Sequence, residues 1–226
     1  MEKPRDDTPP LDYLPRSAFT TSAVAADEEV AGREAPLQKA HDDLKTSLRA
    51  LEDKREQKQK RKAVFIIKDA ALDRVIRSFE LRLLDSVNKR RTDPDYRRYF
   101  ENGLREVTEA EPRKAEPALV DSMISAMAED QKRPAIGPIV TELKPKLESA
   151  LAAVRAAEKA LGQSETEEGY LEDKTIPAQM AHWVDEYVKL YGALKQALPR
   201  DAQRVESYFT PFRKPRKKTD DEPGGG

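Results

Sequence analysis

The stretch VFIIKDAALDRVIRSFELRLLDSV, residues 64–87, decides the fold. Its main apolar residues are separated by seven, four, three, four and four positions, the spacing of one helix face; they are Phe65, Leu72, Ile76, Phe79, Leu83 and Val87. Val64, Ala71 and Val75 form a second apolar stripe beside this face. A helix that is apolar on two neighbouring sides is expected to be covered on both, so the pattern predicts a place inside a helical bundle.

The segment Thr92-Asp93-Pro94 is expected to end this helix and to start another. Aspartate is a favoured N-cap residue, and proline is favoured at the first helical position. The short helix predicted from Pro94 carries Tyr96, Tyr99 and Phe100 and ends near Gly103.

A second long helix is predicted closer to the end of the chain. Its apolar residues are spaced by four, three, four, three and four positions: Met180, Val184, Tyr187, Tyr191, Leu194 and Leu198. A break at Leu198–Asp201 follows, with Asp201 as a candidate cap. Tyr208-Phe209 comes after this break, as Tyr99-Phe100 comes after the break at Asp93.

These similarities suggest an internal duplication. Asp43-Leu44-Lys45 resembles Glu142-Leu143-Lys144, as Tyr99-Phe100 resembles Tyr208-Phe209. The aromatic pairs lie further apart than the two Leu-Lys motifs, so the second copy would hold about ten additional residues, at Gly162–Tyr170. The alternative is a chance resemblance between two amphipathic helical regions.

The predicted fold is all-α: an up-and-down bundle of two tandem, duplicated helical-hairpin units with disordered termini. The expected segments are a disordered N-terminal arm at 1–33, a first hairpin unit at 34–112, a connector helix at 113–133, a second hairpin unit at 134–212 and a disordered charged tail at 213–226. Because no proline or glycine occurs from Leu37 through Asp93, the heptad-like seam also allows one long helix there. The glycines in the second copy favour a hairpin that turns within residues 56–63.

Composition argues against several classes of function. The 226-residue chain has 41 Lys and Arg against 42 Asp and Glu, a formal net charge of −1, and so lacks the basic excess of a dedicated nucleic-acid-binding protein. The absence of cysteine excludes disulfides, thiolate nucleophiles and cysteine-ligated metals. The apolar runs are too short for a membrane span and no signal-peptide core is found, so a cytoplasmic location without membrane association is expected.

Catalytic and metal chemistry are not predicted. His41 and His182 each have a glutamine three positions earlier, where a di-iron bundle has glutamate, so both are expected to be core-edge residues. No Ser–His–Asp order and no phosphate-binding loop is found. We therefore predict no enzyme activity, no catalytic, metal-binding or cofactor-binding residue, and no cofactor. A metal-binding bundle is the third functional alternative.

The sequence favours a non-catalytic scaffold or interaction protein that acts through helix faces on a protein partner, either another copy of the chain or a different protein. Six candidate partner-binding residues are aromatic or apolar: Tyr13, Leu14, Phe19, Trp183, Tyr187 and Tyr191. For the first three the alternative is an untethered tail, and for the last three it is the core.

The second functional alternative is a nucleic-acid-associated protein that uses the basic runs 54–62 and 213–218. The candidate polyanion contacts are Lys58, Lys60, Arg61, Lys62, Arg213, Lys214, Arg216 and Lys217. Neither run contains aromatic residues for base stacking, so a solvated helix and a solubilising tail explain them as well.

Overall fold

The structure is a computed structural model that describes residues 1–5 and 7–212. Within these ranges the chain is helical and contains no strand. The helices are α1 (Tyr13–Ala25), α2 (Ala35–Ser86), α3 (Pro94–Arg97), α4 (Leu104–Thr108), α5 (Ala115–Asp130), α6 (Gly137–Tyr170), α7 (Ile176–Ala197) and α8 (Ala202–Ser207). A 3₁₀ turn, Pro10–Asp12, precedes α1, and a π-helical segment, Leu171–Thr175, joins α6 to α7. None of the described helices combines the length and apolarity needed to cross a membrane.

The predicted charged tail, 213–226, lies outside the described residues, together with the candidate polyanion contacts Arg213, Lys214, Arg216 and Lys217.

The first apolar seam belongs to one uninterrupted helix. α2 runs from Ala35 to Ser86, so the hairpin predicted within residues 56–63 is wrong. The polar run through this region, LEDKREQKQKRK, consists mainly of good helix formers and has no glycine or proline to stop the helix. Gly162 and Gly169 likewise lie inside α6 and do not break it.

The chain divides into two compact units. We call Met1–Asp53 with Glu168–Gly226 the terminal unit, and Lys54–Glu167 the central unit. This division does not follow the tandem boundaries expected from the sequence, 34–112 and 134–212. The physical reason is the continuity of α2, which cannot fold back on itself and so contributes residues to both units.

The terminal unit has an aromatic core. Trp183 is fully buried, stacks on Tyr187 with ring centroids 4.6 Å apart and meets Tyr13 edge-on at 4.9 Å. Because Tyr13 anchors α1 in this core, the prediction of a disordered arm at 1–33 is wrong for the α1 residues. The prolines that suggested disorder lie before α1 or, in the case of Pro15, in its first turn, where proline is tolerated.

The central unit contains the residues that were predicted around the break after α2. The Asp93 side chain accepts a hydrogen bond from the Asp95 backbone N–H at 3.0 Å, which confirms Asp93 as the N-cap of α3. Tyr96, Tyr99 and Phe100 are all buried. α5 lies within 113–133, where a connector helix was predicted, and α4 follows Gly103.

Each unit contains an aspartate that binds a tyrosine and an arginine. In the central unit, Asp130 accepts from the Tyr99 hydroxyl at 2.7 Å and from Arg98 Nε at 2.8 Å. In the terminal unit, Asp27 accepts from the Tyr208 hydroxyl and from Arg204 Nη2. Both aspartates lie at the end of a short helix or just after it, so each interaction fastens that helix to the aromatic segment of its own unit.

The corner between α5 and α6 requires glycine. A Cβ atom added to Gly137 would lie 2.4 Å from the backbone oxygen of Gln131, closer than real Cβ contacts. α6 continues through Pro145.

Candidate interaction groove

The second apolar stripe of the 64–87 stretch lies open in the central unit. Val64 is 51% exposed and Ile67 is 63% exposed, although Phe65 between them is buried in the core. Ala71 and Val75 continue the stripe as half-buried residues. The expectation that both apolar sides of this helix are covered is therefore wrong for Val64, although Val75 packs partly against the core.

A shallow groove of about 550 Å³ lies beside this stripe. Its α2 side is formed by Lys68, Ala71 and Val75, and its α6 side consists of Pro145, Lys146, Ser149, Ala150 and Ala153. Most of these side chains are small, so the backbone of another helix can come close to the groove floor. Together with Val64 and Ile67, we call this surface the stripe groove.

Positive charge predominates at the stripe groove. Lys68 and Arg74 are exposed and have no ion-pair partner in the part of the chain that the structure describes. Lys146 lies 2.9 Å from one carboxylate oxygen of Glu142, and Arg82 lies 2.6 Å from the other. Two cations thus share one carboxylate, and two further cations remain available to a ligand.

Several side chains of the basic run 54–62 have partners within the central unit. Lys54 pairs with Glu167 at 2.6 Å and Lys60 pairs with Glu56 at 2.5 Å. Arg61 donates to the backbone oxygen of Ala160 at 2.7 Å. These contacts fit the solvated interpretation of the run, and polyanion binding stays a prediction.

Lys58 and Lys62 line a separate pocket of about 450 Å³ beside Phe65. Arg113 donates to both carboxylate oxygens of Glu165 in this pocket, at 2.9 and 3.2 Å. The hydrogen bonds from Arg113 hold the pKa of Glu165 below its usual value. The pocket therefore combines the cations Lys58, Lys62 and Arg113 with the carboxylate of Glu165.

Three carboxyl groups of the central unit lie close together: Glu116 is buried, and Asp69 and Asp73 are half-buried. Glu116 is 3% exposed, and burial raises its pKa to about 8, with further contributions from Asp69 and Asp73. One carboxyl oxygen of each of these residues is buried without a hydrogen-bond partner among the described residues. The Glu116 carboxyl is therefore protonated at neutral pH.

These three acids differ from the other carboxylates of the chain in their burial, which the sequence does not show. Carboxylates at helical spacing are common throughout the chain, so Asp69 and Asp73 gave no distinguishing signal. In the described residues no cluster of His, Cys, Asp or Glu has an arrangement that could hold a metal ion.

Most of the predicted partner-binding residues belong to the terminal core. Tyr13, Trp183 and Tyr187 are buried, so they cannot contact a partner without opening the core. Leu14 and Tyr191 are half-buried, and both pack against the same core. Phe19 is the exception among the six, with 46% of its surface exposed.

The two histidines occupy different environments. His41 is buried and its Nδ1 lies 2.8 Å from the Ser17 hydroxyl oxygen, and burial lowers its pKa. His182 is exposed and does not lie at a core edge.

No protein-family model, curated protein or solved structure matches this chain. Sequence reasoning found Val64, Ala71 and Val75 but assigned them to the core, because periodicity alone does not tell whether a second apolar face is covered.

Proposed function

We propose that the protein is a non-catalytic interaction protein that binds one helix of a protein partner in the stripe groove. The observation that carries this proposal is the exposure of Val64 and Ile67 next to Ala71 and Val75. A row of uncovered apolar side chains at helical spacing is typical of an interaction surface. Apolar anchors three, four and seven positions apart are how an amphipathic helix and a groove recognise each other.

We further infer that the chain arose by internal duplication. In the first half of each copy, buried positions recur with one constant difference in residue number. The pairs, which we call the first-half alignment, are Tyr13 with Glu116, Ser17 with Val120, Thr20 with Met123, Val24 with Met127, Leu37 with Val140, Ala40 with Leu143, Leu44 with Leu147 and Leu51 with Val154. Asp27 and Asp130, which bind a tyrosine in their respective units, fit the same alignment.

The second half of each copy supports the same inference. Buried positions recur there with a second constant difference; this second-half alignment pairs Phe65 with Ile176, Leu72 with Trp183, Ile76 with Tyr187, Phe79 with Leu190, Leu83 with Leu194 and Val87 with Leu198. The aromatic segments follow at nearly the same difference, with Tyr99-Phe100 matching Tyr208-Phe209. The sequence suggested that Leu44 corresponds to Leu143. The burial pattern instead pairs Leu44 with Leu147, which lies one helical turn later.

The difference in residue number rises by eight from the first-half to the second-half alignment, so the second copy has eight additional residues between Val154 and Ile176. Eight residues exceed two α-helical turns, at about 3.6 residues each, by almost one residue. The π-helical segment Leu171–Thr175 accommodates an additional residue without turning the following apolar face away from the core.

The duplication gives the stripe groove a counterpart in the terminal unit. In the second-half alignment, Val64, Ile67, Ala71 and Val75 correspond to Thr175, Ala178, His182 and Glu186. The same positions on the same type of helix are therefore mostly polar in one unit and apolar in the other. Since the fold tolerates polar residues there, the apolar character of the stripe groove is best explained by binding.

A displayed library of amphipathic helical peptides tests this proposal. Val64→Thr combined with Ile67→Ala installs the counterpart residues and is expected to abolish binding of peptides selected on the wild-type chain. Leu11→Ala, which removes an apolar side chain that is 67% exposed in the terminal unit, serves as the matched control and is expected to leave binding unchanged. Selection of no helical peptide, or equal binding to the double variant, would contradict the proposal.

A further inference from the structure

We propose that the helix bound in the stripe groove is acidic: an amphipathic segment of about three turns with glutamate or aspartate on both sides of its apolar face. This inference depends on the proposed function and names the chemistry of its partner. Val64 and Val75 are separated by eleven positions, or about 16 Å along a helix, which sets the length of the matching segment.

The first argument is the position of unpaired charge. At about 100° per residue, Lys68 and Arg74 project on opposite sides of the line through Val64, Ala71 and Val75. Both are exposed and unpaired among the described residues, and Lys146 adds a cation on the α6 side. A partner with carboxylates on both sides of its apolar face would pair with these cations, whereas a basic partner would be repelled by them.

The second argument is the charge of the counterpart face in the terminal unit. Lys68 and Arg74 correspond to Gln179 and Asp185 in the second-half alignment, and Lys146 corresponds to Asp43 in the first-half alignment. Two of the three cations are replaced by acids on a face that is also less apolar. Because positive charge and apolar character occur together in one unit and are absent together in the other, they are best explained as parts of one binding surface.

The same charges argue against a second copy as the occupant. A symmetric dimer brings the same surface of two chains together, so each residue of the patch faces the patch of the other chain. Lys68 and Arg74 of one copy would then approach the basic flanks of the other, and like charges across an interface are unfavourable.

The test is a displayed library of helical peptides with leucine at the apolar heptad positions and Glu, Gln or Lys at each flanking position. Selection on the full-length chain is expected to enrich Glu over Lys at the flanks by about tenfold. The variant Lys68→Gln with Arg74→Asp carries the counterpart residues and is expected to lose or reverse this preference. Binding of the acidic peptides is expected to weaken as salt rises.

The other possible results of the selection lead to different conclusions about the acidic partner and the proposed function. Selected helices with no charge preference, or with Lys enriched, would overturn the acidic partner and leave the proposed function standing, provided that Val64→Thr with Ile67→Ala still abolishes binding. Failure to select any helix would overturn both. A dimer in light scattering that the same double variant converts to a monomer would overturn the acidic partner in favour of a second copy.

Discussion

The central and terminal units bury apolar residues in the same pattern. They differ at three positions, which hold carboxyl groups in the central unit and mainly apolar side chains in the terminal unit. Leu83 and Leu194 are both fully buried leucines at corresponding positions, and so are Leu44 and Leu147. In contrast, the three acids Glu116, Asp69 and Asp73 correspond to Tyr13, Met180 and Val184, which belong to or pack against the terminal core.

This difference distinguishes residues that the fold requires from residues that occur in one unit only. Apolar side chains fill the corresponding sites of the terminal unit, so the fold does not demand carboxyl groups there. Burying an ionised carboxyl group is unfavourable, and the protein avoids this by keeping Glu116 protonated at neutral pH. The central unit therefore has a buried carboxyl group, Glu116, where the terminal unit has the buried Tyr13 ring.

The largest expected effect tests whether the two cores are equivalent. Leu83→Ala and Leu194→Ala each leave a cavity in a fully buried site and are expected to lower the free energy of unfolding by about 2–5 kcal/mol. Urea denaturation followed by circular dichroism measures this, with Leu81→Ala as a control because Leu81 is 60% exposed. A decrease in the free energy of unfolding below about 1 kcal/mol at one of the two sites would contradict the inference that the two cores are equivalent.

The second prediction concerns pH. Burial raises the pKa of Glu116 from 4.5 to about 8, so its contribution to stability is full at acidic pH and is lost as pH rises through this window. Asp69 and Asp73 face the group, and Arg77 lies 3.5 Å from Asp73. Glu116→Gln keeps a neutral donor at this site and is expected to stabilise the protein at pH 9, relative to wild type, by on the order of 2 kcal/mol.

The matched control for this experiment is Tyr13→Phe, at the corresponding site of the terminal unit. It is expected to leave the pH dependence of unfolding unchanged between pH 5 and pH 9. Parallel stability–pH curves for wild type and Glu116→Gln would show that Glu116 ionises normally in the folded protein.

The third prediction uses two glycines of the central unit. Gly137→Ala is expected to lower the free energy of unfolding by about 1–2 kcal/mol, because its methyl group would collide with the Gln131 carbonyl. Gly162→Ala meets no atom within 4 Å inside α6 and is expected to stabilise the protein by up to about 1 kcal/mol. Thermal unfolding of both variants distinguishes them, and a shift in the same direction would contradict the close corner.

The smallest expected effect tests whether the exposed residues of the stripe groove contribute to the stability of the fold. Val64→Thr with Ile67→Ala changes exposed side chains and is expected to alter the free energy of unfolding by no more than about 0.5 kcal/mol. Urea denaturation of this double variant provides the measurement. A loss above about 2 kcal/mol would mean that these residues support the fold and are not reserved for a partner.

Local signals in the sequence predicted the elements well. Asp93 and Asp201 each accept a hydrogen bond from a backbone N–H at the start of a short helix, as their residue types and positions indicated. Spacing of three and four identified the buried face of α2. For α7 it found Tyr187, Leu194 and Leu198, whereas Met180, Val184 and Tyr191 are only half-buried. These features depend on neighbours within a few residues, which a sequence displays directly.

The errors came from interactions over long distances along the chain. The hairpin within residues 56–63 was wrong because it was inferred from glycines in the distant second copy, although the local residues favour a continuous helix. α1 was missed because its anchor, Tyr13, packs against Trp183 far along the chain. The exposure of Val64 and the burial of Glu116 are also properties of the folded chain and leave no local signature.

The π-helical segment Leu171–Thr175 has a consequence for how the chain tolerates length changes. If one residue were deleted there, the eight-residue insertion that we infer from the proposed duplication would shrink to seven residues, which an ordinary α-helix accommodates in two turns with little change of direction. A one-residue deletion inside α7 would instead rotate the aromatic face by about 100° and expose Trp183 or Tyr187. The π-helical segment is therefore the place where the chain can gain or lose a residue while the buried face of α7 stays in register with the core.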